Sequence, residues 1–273
     1  MQTRYFNSPT PRMFAHRGSS GNAPENTLAS FEMAIEAGAD ILEMDVHATC
    51  DGHIVVMHDA LLERTTNGMG PVSTVTLAEL KRLDAGYRFS PDKGKIHPYR
   101  GRGITVPTLR EVAERFPNVP FNIEVKQNEP RIEQAVFDLL SELRHSEITL
   151  LAAEQDFIME RIRRLDSDLP TNFASTEVLE FLQRLYQNDW RDYHPRARAL
   201  QIPEEYEGMP VLTQRSLDAA HLLGLEVHVW TINEESNMRR LLKMGVDGIM
   251  TDYPERLTKV VRELGLRPGL SKT

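Results

Sequence analysis

Three carboxylates occur inside two short apolar runs of the sequence. Glu43 and Asp45 lie in ILEMDV, and Glu124 lies in FNIEV. Side chains alternate along a strand, so Glu43 and Asp45 share one face of the first run. By the same alternation, Glu124 shares a face with Lys126. Buried carboxylates must be paired or bound to a metal ion, and a structural salt bridge with a neighbouring arginine is the alternative to a metal site. Because neither cysteine nor a histidine cluster accompanies them, the acids favour Mg²⁺ or Ca²⁺ over Zn²⁺.

The formal charges of these residues predict how such a site treats an anion. Glu43, Asp45 and Glu124 are acidic, whereas Arg17 and Lys126 supply two positive charges. The empty site therefore has a net charge of about −1 and repels an anionic substrate, and a divalent cation changes that charge to about +1. We expect the metal ion and an anionic substrate to bind as a linked pair.

Short apolar runs alternate with amphipathic stretches along the whole chain. TLASFEMAIEAG is typical of the amphipathic stretches, because its apolar residues recur at helical spacing and a glycine follows them. This alternation is typical of βαβ units, and eight units in one chain predict a (β/α)8 TIM barrel of the α/β class, with an open doubly wound sheet as the alternative. No linker-like segment interrupts it, so we predict a single domain over residues 1–273. The eight apolar runs are residues 13–15, 41–46, 121–125, 148–152, 172–174, 199–202, 227–230 and 248–250.

Two segments after the second predicted strand depart from this alternation. ATCDGHIVVMHD predicts a β-hairpin that turns at Asp51 and Gly52 and carries His58 back toward the second strand. Residues 84–107 are an aperiodic insertion rich in glycine, proline, basic and aromatic residues, which predicts a long loop. A lid over an anionic substrate and a mobile surface insertion explain this loop equally well.

Composition limits the class of protein. The 273 residues are 40% hydrophobic and 26% charged, as in soluble globular proteins. A formal charge of −8 argues against a nucleic-acid partner, which needs a basic surface. The single Cys50 cannot form an internal disulfide, and the chain has neither an apolar run of membrane-spanning length nor a signal-peptide core in its first twelve residues. We therefore expect a cytoplasmic protein without an integral membrane segment, and the oligomeric state stays open.

A set of motifs covers nearly the whole chain in a fixed order. AHRG is followed by PENT, LEMDVHATCDGHIVVMHD, IEVK, VHVWTIN and GVDGIMTDYP, and this ordered set resembles the glycerophosphodiester phosphodiesterase family. The resemblance implies a (β/α)8 barrel, a divalent cation held by acidic residues and two histidines that act as acid and base. Matched motif by motif, it implies His16 and His58 as the catalytic pair, Glu43, Asp45 and Glu124 as metal ligands, Arg17 and Lys126 as phosphate contacts, and Trp230 as a wall of the substrate pocket.

The resemblance also implies the reaction, which is metal-dependent hydrolysis of a small-molecule glycerophosphodiester to an alcohol and glycerol 3-phosphate. A lysophospholipase D-type phosphodiesterase and a non-catalytic phosphodiester-binding barrel are the alternatives. At the AHRG motif, Gly18 allows the backbone to turn sharply and approach a phosphate, and Arg17 offers a fork of donors. Further along, we expect Asn26 to cap the first helix and Glu25 to support it or the site. We expect His228 to be a satisfied histidine inside the barrel.

Overall fold

The computed structural model describes residues 4–166 and 168–267, and these ranges contain ten strands and nine α helices. The strands are β1 (Arg12–Ala15), β2 (Ile41–Ala48), β3 (Ile54–Val56), β4 (Phe121–Val125), β5 (Thr149–Ala152), β6 (Ala199–Ile202), β7 (Glu205–Tyr206), β8 (Met209–Pro210), β9 (Glu226–Val229) and β10 (Gly248–Thr251). The helices are α1 (Leu28–Glu36), α2 (Leu77–Leu80), α3 (Leu109–Arg115), α4 (Glu133–Glu142), α5 (Asp156–Arg163), α6 (Ser175–Gln187), α7 (Gln214–Leu222), α8 (Glu235–Met244) and α9 (Pro254–Glu263).

Seven parallel strands form a curved sheet in the spatial order β5, β4, β2, β1, β10, β9 and β6. The two outer strands of this order are joined by residues 171–172. Thr171 bridges to Leu151 of β5, and Asn172 bridges to Ala199 of β6, both in the parallel sense. The predicted run at residues 172–174 therefore supplies the remaining position of the circle. The predicted TIM-barrel fold is confirmed, and the open doubly wound sheet is not formed.

Apolar side chains fill both sides of the barrel wall. One cluster packs α1, α3, α4 and α5 against β2, β4 and β5, and a second packs α6 to α9 against β6, β9 and β10. Inside the barrel, Phe14, Ile41 and Met250 pack with Leu150 and with Tyr5 from the N-terminal segment. Fully burying a side chain of this size contributes roughly 1.5–3 kcal/mol, so these layers hold the strand ends at fixed positions.

A layer of polar side chains also lies inside the barrel, at the end where its strands begin. The Arg12 guanidinium, 2% exposed, donates to both carboxylate oxygens of Glu226 at 2.7 Å. His228 is fully buried, and its Nε2 lies 3.0 Å from Glu226 Oε2. His228 is therefore a satisfied interior histidine, as expected from the sequence. This polar layer occupies the end where the strands begin. The candidate site lies at the opposite end, where the strands finish.

The predicted hairpin and long loop are both present. β3 pairs antiparallel with β2, from Val46 opposite Val56 to Ala48 opposite Ile54, and Gly52 adopts the left-handed φ of +83° that the turn requires. Residues 84–107 contain neither helix nor strand. Among the helices of residues 4–166 and 168–267, none combines the length and apolar character needed to cross a bilayer.

Candidate active site

The carboxyl ends of adjacent strands bring the predicted acids together. Asp45 of β2 is in register with Glu124 of β4, and Glu43 lies two residues earlier on the same face. One carboxylate oxygen from each of Glu43, Asp45 and Glu124 falls within 4.8 Å of the others. Glu43 and Asp45 are only 5% and 1% exposed, while Glu124 is partly exposed. The predicted acidic cluster therefore forms in the fold.

The charges in this cluster are incompletely balanced. Burial and the neighbouring charge of Asp45 raise the pKa of Glu43 to about 7. Burial would also raise the pKa of Asp45, but the positive charges of Arg17 and Lys126 lower it below its ordinary value. Burial raises the pKa of Glu124 against the opposing charge of Lys126. Three buried or partly buried carboxylates fit a hard divalent cation, because its charge would offset both the cost of burying them and their mutual repulsion.

Lys126 and Arg17 are the two cations beside the acids. Lys126 Nζ lies 2.7 Å from Glu124 Oε2 and 3.5 Å from Asp45 Oδ1. Arg17 Nε lies 3.1 Å from Asp45 Oδ2, but its N–H is not directed at that oxygen, so this buried atom makes no hydrogen bond. A donor left without a hydrogen bond inside the site is available to an anionic ligand.

The turn after β1 explains the residues of the AHRG motif. Arg17 and Gly18 both adopt left-handed φ values, +55° and +84°. A Cβ at Gly18 would lie 2.4 Å from Ser30 Oγ of α1, so only glycine fits between the turn and the helix. The turn directs the backbone N–H of Arg17 toward Glu43 Oε2 at 2.9 Å, and Ser30 Oγ donates to the Arg17 carbonyl at 3.0 Å. The first helix therefore fixes the arginine against the acidic cluster.

His16 directly follows β1 and is held by the aspartate that directly follows β10, the last strand of the barrel. His16 Nδ1 lies 2.7 Å from Asp252 Oδ1. Ser20 Oγ donates to the same oxygen at 2.8 Å, and Asn233 Nδ2 donates to Asp252 Oδ2 at 2.7 Å. Burial would lower the pKa of His16, but the hydrogen bond with Asp252 and the charge of Glu43 outweigh it and raise the pKa above its ordinary value. Sequence reasoning missed Asp252, although its place at the end of the last apolar run was a usable signal.

His58 follows β3 and has an aspartate partner of its own. His58 Nδ1 lies 2.6 Å from Asp59 Oδ1, and His47 Nε2 lies 3.0 Å from the His58 carbonyl. Burial would raise the pKa of Asp59, but hydrogen bonds from Arg64 and His58 lower it to about 2. Asp59 therefore carries a negative charge at neutral pH. The two predicted histidines follow β1 and β3, which both pair with the edge of β2 opposite β4, and each presents Nδ1 to an aspartate.

Arg64 donates hydrogen bonds to two carboxylates, one that holds Arg17 next to His16 and one that holds His58. Its Nη1 and Nη2 atoms donate to the two carboxylate oxygens of Glu25 at 2.7 Å each, and Nη2 also donates to Asp59 Oδ1 at 3.2 Å. Glu25 in turn accepts a hydrogen bond from Arg17 Nη1 at 3.1 Å. Arg64 was not identified from the sequence, because a lone arginine in a loop gives no signal of partners 39 residues away.

The PENT motif does not cap the first helix through Asn26 as expected. Thr27 is the N-cap residue, and its side chain accepts from the Ser30 backbone N–H in a capping box. Asn26 has a left-handed φ of +55°, which points its amide into the site, where Nδ2 donates to Asp45 Oδ2 at 3.0 Å. The expectation for Asn26 was wrong because the adjacent threonine satisfies the helix end and frees the asparagine to orient the acid.

Trp230 lies at the same end of the barrel but away from the acids. It follows β9, which is three strands from β2 in the sheet, and 42% of the residue is exposed. Its backbone N–H donates to the Ile202 carbonyl at 3.2 Å, which fixes the start of the loop that carries it. The exposed indole therefore borders the open end of the barrel.

Comparisons with known proteins agree with this geometry. The model of the glycerophosphoryl diester phosphodiesterase family matches residues 16–256. A glycerophosphodiester phosphodiesterase from Caldanaerobacter subterraneus subsp. tengcongensis is 34% identical over 259 residues, which cover 93% of this chain and 98% of that protein. A lysophospholipase D from Rattus norvegicus is 28% identical over 278 residues, which cover 93% of this chain and 87% of that protein.

A solved structure extends the comparison to a bound product. A phosphodiesterase from Oleispira antarctica, in complex with the product sn-glycerol-3-phosphate, is 29% identical to this chain with a TM-score of 0.73. The similarity covers 93% of this chain and 97% of that one. From the family match and the extent of these similarities, we conclude that the chain belongs to the glycerophosphoryl diester phosphodiesterase family and is a phosphodiesterase.

Proposed function

We propose that this enzyme hydrolyses glycerophosphodiesters to an alcohol and glycerol 3-phosphate, with His16 and His58 as acid and base. One observation carries the proposal. Two histidines, each with Nδ1 on an aspartate, follow two strands that pair with one edge of β2, and β2 carries two acids of a three-carboxylate cluster. The Oleispira antarctica relative bound to sn-glycerol-3-phosphate supports the choice of substrate class.

The acidic cluster would hold a divalent cation, Mg²⁺ or Ca²⁺, through Glu43, Asp45 and Glu124. When bound, such an ion supplies Lewis-acid stabilisation of the charge on the phosphate oxygens. Arg17 and Lys126 would bind the same phosphate from the protein side. Arg17 suits this role because Glu25 and the Asp45 charge hold its guanidinium in place while Nε keeps an unused N–H.

The aspartate partners define how the two histidines would transfer protons. With Nδ1–H donated to Asp252 or Asp59, the neutral imidazole has its basic lone pair on Nε2. Each Nε2 is then able to accept a proton from a nucleophile or, once protonated, to donate one to a leaving alkoxide. His47 does not suit this role, because burial lowers its pKa and its Nε2 is already bonded to the His58 carbonyl.

The substrate itself would provide the nucleophile. One histidine removes the proton of the glycerol 2-hydroxyl, whose oxygen attacks phosphorus, and the other histidine protonates the departing alcohol. Water then opens the resulting cyclic phosphate, with the two proton transfers reversed. A tethered, well-oriented hydroxyl lowers the barrier by about 7–11 kcal/mol relative to a bimolecular reaction, which favours this route over direct attack by water.

A lysophospholipase D-type activity is the second candidate. The Rattus norvegicus relative is named for that activity, and the half-exposed Trp230 leaves an apolar border at the open end of the barrel. The reacting phosphodiester is the same in both substrate classes. An acyl chain beyond the glycerol would lie against this apolar border.

An assay of purified protein tests both candidates. Glycerophosphocholine, glycerophosphoethanolamine and lysophosphatidylcholine are each incubated with Mg²⁺ or Ca²⁺, and the released alcohol is measured. Turnover of the first two substrates supports the proposal, and turnover of the lysolipid alone supports the second candidate. The absence of turnover with every substrate and metal would leave a non-catalytic phosphodiester-binding barrel. The double variant H16A/H58A is the control for contaminating activity.

A further inference from the structure

Positive charge is concentrated in one loop of this acidic protein. Residues 84–107, called the basic loop here, contain five basic and two acidic residues, whereas the whole chain has 32 basic and 40 acidic residues. All five basic side chains are exposed, and none pairs with a carboxylate anywhere in residues 4–166 and 168–267. They are Arg88, Lys93, Lys95, Arg100 and Arg102.

The two acids of the basic loop are used to fold it and leave its cations unpaired. Asp84 accepts hydrogen bonds from the backbone of Gly86 at 2.8 Å and Gly101 at 2.7 Å. Asp92 accepts from the backbone of Lys95 at 3.0 Å and Ile96 at 2.9 Å. The loop therefore has a defined shape in which the acids bind its backbone. Arg100 donates to the Tyr87 carbonyl at 2.9 Å, and no basic side chain of the loop is neutralised by a carboxylate of the described residues.

Apolar side chains are exposed beside these cations. Ile96 lies between Lys95 and His97 and is 54% exposed. The neighbouring segment exposes Met69 to 82%, and Asn67 Oδ1 ties that segment to the loop by accepting from the backbone of Asp84 at 2.8 Å. A surface that is cationic and apolar together matches the headgroup region of an anionic bilayer, which binds both kinds of side chain.

The aromatic residues of the basic loop do not offer a platform for nucleic-acid bases. The Arg100 guanidinium covers the Tyr87 ring at 4.2 Å, and Phe89 packs edge-on against Tyr99 at 5.3 Å. Single-stranded nucleic acids depend on open aromatic faces for stacking, so the loop favours a lipid surface over such a partner. The rest of the protein is acidic, but its repulsion of an anionic surface is screened beyond roughly 8–10 Å at physiological salt. Binding therefore depends on the residues that contact the surface.

The position of the loop relates this surface to the candidate site. Ala85 and Val106 at the base of the loop line a recess together with His58 and Glu25. Ala85 also donates its backbone N–H to the Ile104 carbonyl at 2.8 Å, which closes the base of the loop. We propose that the basic loop is a peripheral docking surface for anionic phospholipid bilayers, which holds the open end of the barrel beside the membrane.

Vesicle sedimentation of the full chain tests this inference independently of activity. Vesicles of phosphatidylcholine alone are compared with vesicles containing about 30% phosphatidylglycerol, at about 0.1 M salt and at higher salt. We expect binding only to the anionic vesicles, and weaker binding as salt rises. Each basic residue near the surface strengthens binding about five-fold, so K93E/K95E should weaken it by at least about 25-fold. I96S should weaken binding without changing its salt dependence.

The control variant is K243E/R262E, which makes the same change of charge at two exposed positions, one on α8 and one on α9. This variant should bind anionic vesicles like wild type, and K93E/K95E should keep the wild-type melting temperature and its turnover of soluble glycerophosphocholine. Equal binding to neutral and anionic vesicles, or unchanged binding by K93E/K95E, would overturn the inference. Binding to a single-stranded RNA oligonucleotide but not to vesicles would also overturn it.

Discussion

Asp252 Oδ1 lies 2.7 Å from His16 Nδ1, although 236 positions of sequence separate the two residues. The pairing of the first and last strands of the barrel, with Ala15 opposite Thr251, brings them together. The carboxylate is itself fixed by Ser20 and Asn233, so it sets both the orientation and the charge of the imidazole. The pairing of the first and last strands thus places a charged partner against a proposed catalytic residue.

Replacing this carboxylate should shift the pH dependence of catalysis. Asp252→Asn keeps the shape of the side chain but removes the negative charge that helps to raise the pKa of His16. The pKa of His16 should fall, so the limb of the pH–kcat profile that requires protonated His16 should move to lower pH. The control is Ser20→Ala, because it leaves the Asp252 charge in place and should shift the profile less. An identical profile for D252N and wild type would separate Asp252 from the mechanism.

Removing either proposed proton-transfer group should reduce turnover without unfolding the protein. His16→Ala and His58→Ala should each lower kcat by roughly 10²–10⁴-fold, the usual cost of losing a general acid or base. The matched control is His221→Ala, which breaks a His–Asp pair of 2.8 Å outside the site and should leave kcat unchanged. Steady-state kinetics and melting temperatures distinguish the variants, and wild-type kcat in either site variant would exclude that histidine from catalysis.

The pKa of Glu43 predicts how stability depends on pH and on metal. The folded-state pKa of about 7 lies above the ordinary value of 4.5, so the folded metal-free protein binds more protons than the unfolded chain between these values. Its stability should therefore fall as pH rises from 4.5 to 7, by about 3 kcal/mol from this group alone. Urea unfolding at pH 5 and pH 8 measures the effect.

A divalent cation should reverse this loss, because it binds the ionised carboxylates and releases a proton. Added Mg²⁺ or Ca²⁺ should raise the melting temperature more at pH 8 than at pH 5. Glu43→Gln is the control, since its amide mimics the protonated acid and should remove the part of the pH dependence that comes from Glu43. A metal-free wild type that is equally stable at both pH values would contradict the prediction.

Arg64 should act by positioning the groups around it. Arg64→Ala removes its hydrogen bonds to Glu25 and Asp59, which hold Arg17 and His58 respectively, so kcat should fall by roughly 10–100-fold. Added guanidinium should restore part of the activity, because it can occupy the vacated position between the two carboxylates. Arg64→Lys should recover less, since one ammonium cannot donate in the same fork. A loss of kcat that guanidinium leaves unchanged would point to general structural damage.

The proposed nucleophile can be tested by changing the substrate. An analogue of glycerophosphocholine that lacks the glycerol 2-hydroxyl should bind but be hydrolysed at least about a hundredfold more slowly, since the tethered nucleophile is lost. Phosphorus NMR should detect a cyclic phosphate during turnover of the parent diester. Similar kcat values for both compounds, without a cyclic species, would favour direct attack by water.

The repeating parts of the fold could be predicted because they depend on local pattern. The alternation in ILEMDV fixes which side chains of β2 face inward, so Glu43 and Asp45 follow directly from the sequence, and parallel pairing then brings Glu124 beside them. Each strand could be predicted from the pattern of its own few residues, together with the rule that parallel strands finish at the same edge.

The supporting contacts could not be predicted because they depend on exact distances between loops. Arg64 meets Glu25 only after the segment that follows the hairpin folds back to the turn before α1. Asn26 and Thr27 are both good helix-capping residues, and the choice between them follows from the left-handed backbone of Asn26. Sequence patterns specify the ends of the strands but not the path of the chain between them.

The barrel is joined very unevenly around its circumference. β1 and β10 share four register pairs, whereas residues 171–172 join β5 and β6 through a single bridge on each side. Local unfolding in the native state begins where few backbone pairs must break, so this seam is the weakest point for transient opening. His16 follows β1, and Glu43 and Glu124 lie on β2 and β4; these three strands are contiguous, and none of them borders the seam. Transient opening of the barrel at the seam would therefore leave the proposed catalytic residues in place.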